Sequence, residues 1–246
     1  MHAAAIALLL IGALAGGFAS GLTGFGTALM ALGIWLYVLQ PSMAVTLVLI
    51  CSVIAQAATL PQMWRSFDLT LVWPFVIGGL LGTPLGTLLI AHADPRDFKL
   101  TVGAFLLVFP VALYFSRPMA FTIGGKLADA AVGFAGGILG GLAGLSGPLP
   151  ILWASVRGWT KDERRGIFQI FNIAVLSAAP CLEAASGLLA REAVWLAALA
   201  FPATLAGSWI GARLYHVLSD RNFRDIVLGM LFLSGAVLVW NSVGAP

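Results

Sequence analysis

Charge is what this chain has least of. Only 9% of its 246 residues are charged, 13 basic and 10 acidic, where a soluble domain carries about a quarter. With 60% hydrophobic residues and a mean hydropathy of +1.00, that deficit excludes an ordinary soluble domain. No polar stretch is long enough to form a separate one. The charges gather in short breaks between apolar runs, so the basic excess bears on membrane orientation and not on nucleic acid. Cysteine is nearly absent: Cys51 and Cys181 stand singly inside apolar runs, which argues against a disulfide and for small apolar packing. His2, His92 and His216 fall at the chain end or near loops without metal-ligand spacing, so no metal site and no cofactor is expected. The first twenty residues are apolar but lack a basic n-region, and they read as a retained span.

What the chain does have is apolar length. Against a span of roughly 20 residues, full-length candidates are 3–22, 43–60, 70–91, 100–116, 127–143, 166–188, 193–212 and 223–240. Two shorter segments, 27–39 and 148–156, reach only about 20 and 14 Å. Neither crosses a hydrocarbon core of about 30 Å upright. The predicted fold class is an all-α polytopic membrane protein with about eight full transmembrane helices plus two half-helices, eight to ten spans in all, forming one domain over 1–246.

Glycine is abundant, and it is patterned. Gly16-Gly17-x-x-x-Gly21-x-x-Gly24-Phe25-Gly26 returns as Gly136-Gly137-x-x-x-Gly141-x-x-Gly144-Leu145-Ser146-Gly147. Each time a long apolar segment runs through glycines into a short one, the pattern of a broken helix lining a cavity. Gly82-x-x-x-Gly86 likewise matches Gly207-x-x-x-Gly211, and Arg96-Asp97-Phe98-Lys99 matches Arg221-Asn222-Phe223-Arg224. An internal duplication follows, with one repeat over about 1–120 and the other over about 121–246. Small residues four apart also suit close helix packing, which alone accounts for the later glycines.

Orientation follows from the loops. If each half-helix returns to its starting side, one face collects ten basic residues, Arg65, Arg117, Lys126, Arg157, Lys161, Arg164, Arg165, Arg213, Arg221 and Arg224. The other keeps three, Arg96, Lys99 and Arg191. This arrangement puts both termini outside the cytoplasm and makes the repeats inverted. A rival in which the half-helices do not change sides divides the charges nine against four and makes the repeats parallel; the inverted arrangement is favoured.

Chemistry concentrates where the half-helices begin. Thr27 after Gly26 reads as an N-terminal cap, and Ser146-Gly147-Pro148 puts a hydroxyl at the cap and a proline in the first turn. Both half-helices should turn backbone N–H groups and a positive dipole end toward the interior, a setting that favours an anion. Gly24 and Gly144 let a ligand approach the backbone, and Thr23, Thr27 and Ser146 add hydroxyls; simple capping is the competing role.

With Gly21-Leu22-Thr23-Gly24-Phe25-Gly26, Pro41-x-x-Ala44-Val45 and Gln56 in the first half, and Gly136-Gly137-x-x-Gly140-Gly141-x-x-Gly144-x-Ser146-Gly147-Pro148 and the Arg165 segment in the second, the chain resembles the sulfite exporter TauE/SafE family, also called the toluenesulfonate uptake permease family. The resemblance covers nearly the whole chain. It implies an inner-membrane carrier of small anions such as sulfite, sulfonates or carboxylates. Thr27 and Ala28 depart from the family in standing where bulkier apolar residues are common.

Polar side chains inside the spans complete the candidate site. Gln56, and Gln169 with Asn172 three residues on along one helix face, are uncharged amides able to hold an anion and release it; bonding to neighbouring helices is the alternative. Glu183, five residues from the end of its predicted span, is the candidate proton carrier, with Asp129 near the start of another span. Arg165 could attract anions at the cytoplasmic mouth. The substrate-binding set is thus Thr23, Gly24, Phe25, Gly26, Thr27, Gln56, Gly144, Ser146, Gly147, Pro148, Gln169 and Asn172. Alternating access, by one repeat rocking against the other and coupled to protons, is the expected mechanism. A passive anion channel is the alternative, and Gly144-Leu145-Ser146-Gly147 also reads as the nucleophile turn of an intramembrane serine protease. That chemistry needs a histidine at membrane depth, and none lies there; no enzyme is expected.

Overall fold

A computed structural model of the chain describes residues 3–63, 69–115, 125–157, 159, 161–187 and 189–217, with 229, 232, 233, 235 and 236 beyond. The helices are α1 (Ala3–Thr23), α2 (Thr27–Trp35), α3 (Pro41–Met63), α4 (Leu69–His92), α5 (Pro95–Phe115), α6 (Gly125–Ala143), α7 (Pro148–Val156), α8 (Lys161–Ala185) and α9 (Arg191–Val217). No strand occurs among the described residues. In lipid a helix satisfies its backbone groups within its own segment, which is why apolar runs of this length take that form.

Six described helices, α1, α3, α4, α6, α8 and α9, are long and apolar enough to cross a membrane. Each meets an expected span. The expected span 100–116 falls in α5, 21 residues long but not among the six. The expected span 223–240, like Arg65, Arg117, Arg221 and Arg224, lies almost wholly outside the described residues. The half-helices are nine residues each. α7 has the expected bounds, whereas α2 stops at Trp35 and residues 36–38 form a turn. The Trp35 indole donates to the Leu9 carbonyl of α1 at 3.0 Å, tying the end of α2 back to the start of α1.

Two seams of glycine hold the bundle together. On α6, a Cβ added at Gly137 or Gly141 would strike the carbonyl oxygens of Gly79 and Thr83 on α4; from the α4 side, Gly82 and Gly86 meet those of Phe134 and Ile138. The second seam repeats the first. Gly17 and Gly21 of α1 meet the carbonyls of Thr204 and Ser208 on α9, while Gly207 and Gly211 meet those of Leu14 and Phe18. All four contacts correspond at an offset of 120 between α1 and α6 and of 125 between α4 and α9. Backbones this close gain dispersion contact and weak Cα–H···O bonds where lipid supplies no hydrophobic drive. Residue numbers rise together along each seam, so α1 runs parallel to α9 and α4 to α6. Between the seams, α3 and α8 are antiparallel, since Thr46 meets Glu183 and Thr59 meets Gln169.

Large apolar side chains outside these contacts face outward: Leu81, Val108 and Trp195 are 66, 66 and 77% exposed. A lipid-facing surface of this kind contrasts with α2, which is buried over most of its length.

Gly21→Val and Gly141→Val should each cost about 1–3 kcal/mol or more through overpacking against a backbone that cannot yield. The reading is the thermal unfolding midpoint of the purified protein in detergent, beside Leu127→Val on the 85% exposed surface. Equal midpoints for all three variants would show that the seams do not hold the bundle.

Candidate functional site

α1 and α6 each run into a glycine whose backbone conformation only a residue without a Cβ adopts easily. Gly24 and Gly144 have φ of +82° and +67°, the left-handed conformation that stops a helix and turns the chain. The Gly24 and Gly144 N–H groups still bond back to Ser20 and Gly140, both at 2.7 Å. Around the first turn, the Thr23 hydroxyl donates to the Ala19 carbonyl at 2.9 Å and accepts from the Phe25 N–H at 3.2 Å. Thr23 therefore ties the turn together.

The caps differ from the sequence expectation. α2 begins at Thr27 itself, with Gly26 as its N-cap, and α7 begins at Pro148 with Gly147 as its N-cap; neither has a side-chain cap bond. Thr27 is one residue too far along, so its hydroxyl, 1% exposed, is a buried group without a partner. The Ser146 hydroxyl is engaged elsewhere: it donates to Asn172 Oδ1 at 2.6 Å.

Asn172 brings the two breaks together. From α8 it accepts that bond from Ser146 in the second break and donates through Nδ2 to the Gly24 carbonyl in the first, at 3.1 Å. The breaks also touch directly. A Cβ at Gly147 would lie 2.6 Å from the Phe25 Cβ, and one at Gly144 would lie 2.6 Å from Val48 of α3 and 3.5 Å from Ala28 of α2. Glycine at these points is what lets two helix starts meet.

One turn before Asn172 on the same face, Gln169 Nε2 donates to the Gln56 carbonyl and to the Thr59 hydroxyl, both at 3.0 Å. Its Oε1 and both side-chain ends of Gln56 are buried without a partner. Orphaned amide groups inside an apolar bundle are costly, and the three here offer a ligand one NH2 donor group, on Gln56, and two carbonyl acceptors, on Gln56 and Gln169. No charged side chain bonds to these residues among the described contacts. What the arrangement can do chemically is hold a small polar or anionic solute through amides, hydroxyls and backbone N–H groups.

The remaining candidates lie apart. Glu183 stands two residues from the end of α8, closer than its predicted span placed it, and is enclosed by protein: it is 4% exposed and accepts from the Thr46 hydroxyl at 2.7 Å. It is 11 residues beyond Asn172, about 16 Å along the helix. Arg165 lies near the start of α8, its side chain outside the described residues. Ser146 bonds to an amide, while His92 sits exposed with Nδ1 2.9 Å from the Leu88 carbonyl.

Sequence reasoning missed Thr59 and Thr46, the partners of Gln169 and Glu183. Hydroxyls inside apolar runs could have flagged both, but only the packing of α3 on α8 pairs them. It also missed the contacts of Asp129, which accepts from the Trp153 indole at 2.7 Å and faces Arg157 at 4.0 Å.

A family model described as Sulfite exporter TauE/SafE matches residues 8–238. No curated protein and no solved structure matches the chain.

Asn172→Leu keeps the bulk and removes both bridging bonds, leaving the Gly24 carbonyl unpaired. The expected loss is about 1–3 kcal/mol, larger than for Ser146→Ala. Unfolding of the purified variants in detergent measures it, and a wild-type midpoint for Asn172→Leu would mean that the bridge does not join the breaks.

Proposed function

The chain belongs to the sulfite exporter TauE/SafE family of membrane transporters, and on that premise we propose that it is a secondary transporter of a small anion, sulfite or an organosulfonate first, working across the cell inner membrane by alternating access. The observation that carries this reading is the meeting of two helix starts at Gly24 and Gly144, joined by Asn172 beside the unpartnered amides of Gln56 and Gln169. Helix N-termini and uncharged donors attract an oxyanion without the strong hold of a buried cation. Thr23, Phe25, Gly26, Thr27, Gly147 and Pro148 shape the two turns around it.

The helix directions support an inverted relation between the halves. α3 and α8 follow equivalent half-helices yet run antiparallel, and the offsets of 120 between α1 and α6 and of 125 between α4 and α9 together carry one glycine seam onto the other. Counting α5 and the segment 223–240 with the six apolar helices gives the eight full spans of that arrangement. The seams join α1 to α9 and α4 to α6, helices of opposite halves, so the bodies that move are mixed bundles. α3 and α8, which meet through the few polar contacts of Thr46, Gln56 and Thr59, are where those bundles slide.

Glu183 is the proton carrier of this scheme. The Thr46 hydroxyl lies within bonding distance of both Glu183 Oε2 and the Ser42 carbonyl, at 2.7 and 3.1 Å. One hydroxyl proton faces two acceptors there, and a proton on the Glu183 carboxyl completes the pair.

Radiolabelled sulfite flux into proteoliposomes tests the scheme, with and without an imposed proton gradient and with unlabelled sulfonates and carboxylates as competitors. Saturable, gradient-stimulated flux is expected. Gly24→Val and Gly144→Val, each placing a β-branched residue at positive φ, should reduce flux to the empty-liposome level while the protein still inserts. Retained flux in both would remove the site from this location. Glu183→Gln should keep flux but abolish its response to the proton gradient. A non-saturating flux in the wild type, indifferent to the gradient, would make the protein a passive anion channel.

A further inference from the structure

The two broken-helix hairpins are closed at their open ends in different ways. In the first, the Trp35 indole donates to the backbone carbonyl of Leu9. In the second, the Trp153 indole donates at 2.7 Å to Oδ1 of Asp129, the position that the offset of 120 makes equivalent to Leu9. A backbone carbonyl suffices for the first closure, so the carboxylate in the second answers a further need. It brings a charge into a place where it is 3% exposed, at a desolvation cost that only a strong partner offsets.

The partner is not a strong one. Arg157, at the C-terminal end of α7, approaches Asp129 Oδ2 at 4.0 Å, well outside the 2.7–2.9 Å of a charge-assisted hydrogen bond. Its guanidinium is held instead by two indoles, 5.9 Å from the Trp153 ring and 5.5 Å from that of Trp159. Trp159 packs edge-on against Phe75, which packs edge-on against Phe171, the neighbour of Asn172. The cation thus has a seat on two indoles, of which Trp159 makes no described bond to the carboxylate. It is also the reachable member: the Arg157 side chain is 17% exposed and that of Asp129 4%. Of the two, a solute arriving at this end meets the positive fork first.

We propose that Arg157 receives the transported oxyanion on the face where α7 ends, and that Asp129 is an internal counter-anion which the oxyanion displaces. This rests on the reading of the protein as an anion carrier. The nine residues of α7 put the seat about 14 Å from the glycine break, an outer station on the way to it. The planar guanidinium matches a sulfite, sulfonate or carboxylate bidentately, which the amides deeper in cannot. When the oxyanion takes the fork, Asp129 keeps the Trp153 bond and loses the Arg157 contact, one of the two described polar ties between the end of α7 and α6.

The test is the half-saturation concentration for sulfite flux in proteoliposomes at low and high salt. Asp129→Asn keeps an acceptor for Trp153 and removes the competitor, so it should lower that concentration about three- to tenfold; Arg157→Gln should raise it by a similar factor and flatten its salt dependence. Arg157→Lys should fall between the wild type and Arg157→Gln, and the double variant should follow Arg157→Gln. A merely structural pair would move both single variants in the same direction, and that result, or an unchanged value in Arg157→Gln, overturns the proposal. If Asp129→Asn does not fold, as seen by size exclusion, the comparison of Arg157→Gln with Arg157→Lys decides alone. Absence of saturable flux in the wild type would instead overturn the carrier reading on which the proposal rests.

Discussion

A helix interrupted inside a bilayer leaves backbone groups that neither lipid nor bulk water can bond, and the whole fold depends on how the two interruptions at Gly24 and Gly144 are sealed. Each break supplies part of the other's seal. Asn172 spends its amide on the Gly24 carbonyl of one and its carbonyl on the Ser146 hydroxyl of the other, while Phe25 lies against Gly147. On the proposed site, a ligand entering between the breaks would compete for the same amide and hydroxyl that close them. Under that proposal stability and binding would draw on one small, uncharged set of groups.

Bringing two helix starts together requires the long helices behind them to be fixed firmly elsewhere. The glycine seams do this, because a Cα against a carbonyl oxygen leaves no side chain to rearrange. The antiparallel contact of α3 with α8 is of another kind, with the Thr46–Glu183 and Gln169–Thr59 bonds near its two ends and apolar packing between. Hydroxyl and amide bonds inside a membrane exchange partners at modest cost, about 0.6 kcal/mol on average. Rigid seams on the outside and an exchangeable polar contact through the middle are what the proposed alternating access would require.

The sequence carried the membrane class, the half-helices and the glycine turns because each leaves a local mark. Pro148 at the first turn of α7 located that helix to the residue, and positive φ at Gly24 and Gly144 follows from glycine at the end of an apolar run. The cap roles of Thr27 and Ser146 were misread for a local reason: Gly26 and Gly147 occupy the N-cap, shifting both hydroxyls by one position. The tertiary partners left no mark at all. Asn172 reaches Gly24 across 148 positions, Gln169 reaches Thr59 across 110, and Glu183 reaches Thr46 across 137. A lone amide in an apolar run announces that it needs a partner but not which helix provides it.

The two hairpins show how a duplicated frame divides its labour. Where Trp35 meets a backbone carbonyl, both members are fully buried and nothing outside can compete for the bond. Where Trp153 meets Asp129, a second, partly exposed contact to Arg157 is added, and its strength depends on the ions around it. An anion carrier needs a cation where solute enters, since steering is long-ranged, but not where solute must be released from a low-dielectric interior, since attraction there is too strong. In the proposed carrier, Arg157 at the rim of α7 and the neutral amides beside the breaks would meet both demands. In that proposal the buried carboxylate of Asp129 would hold the guanidinium only loosely, at 4.0 Å, leaving its partly exposed fork to draw a substrate that then replaces the carboxylate.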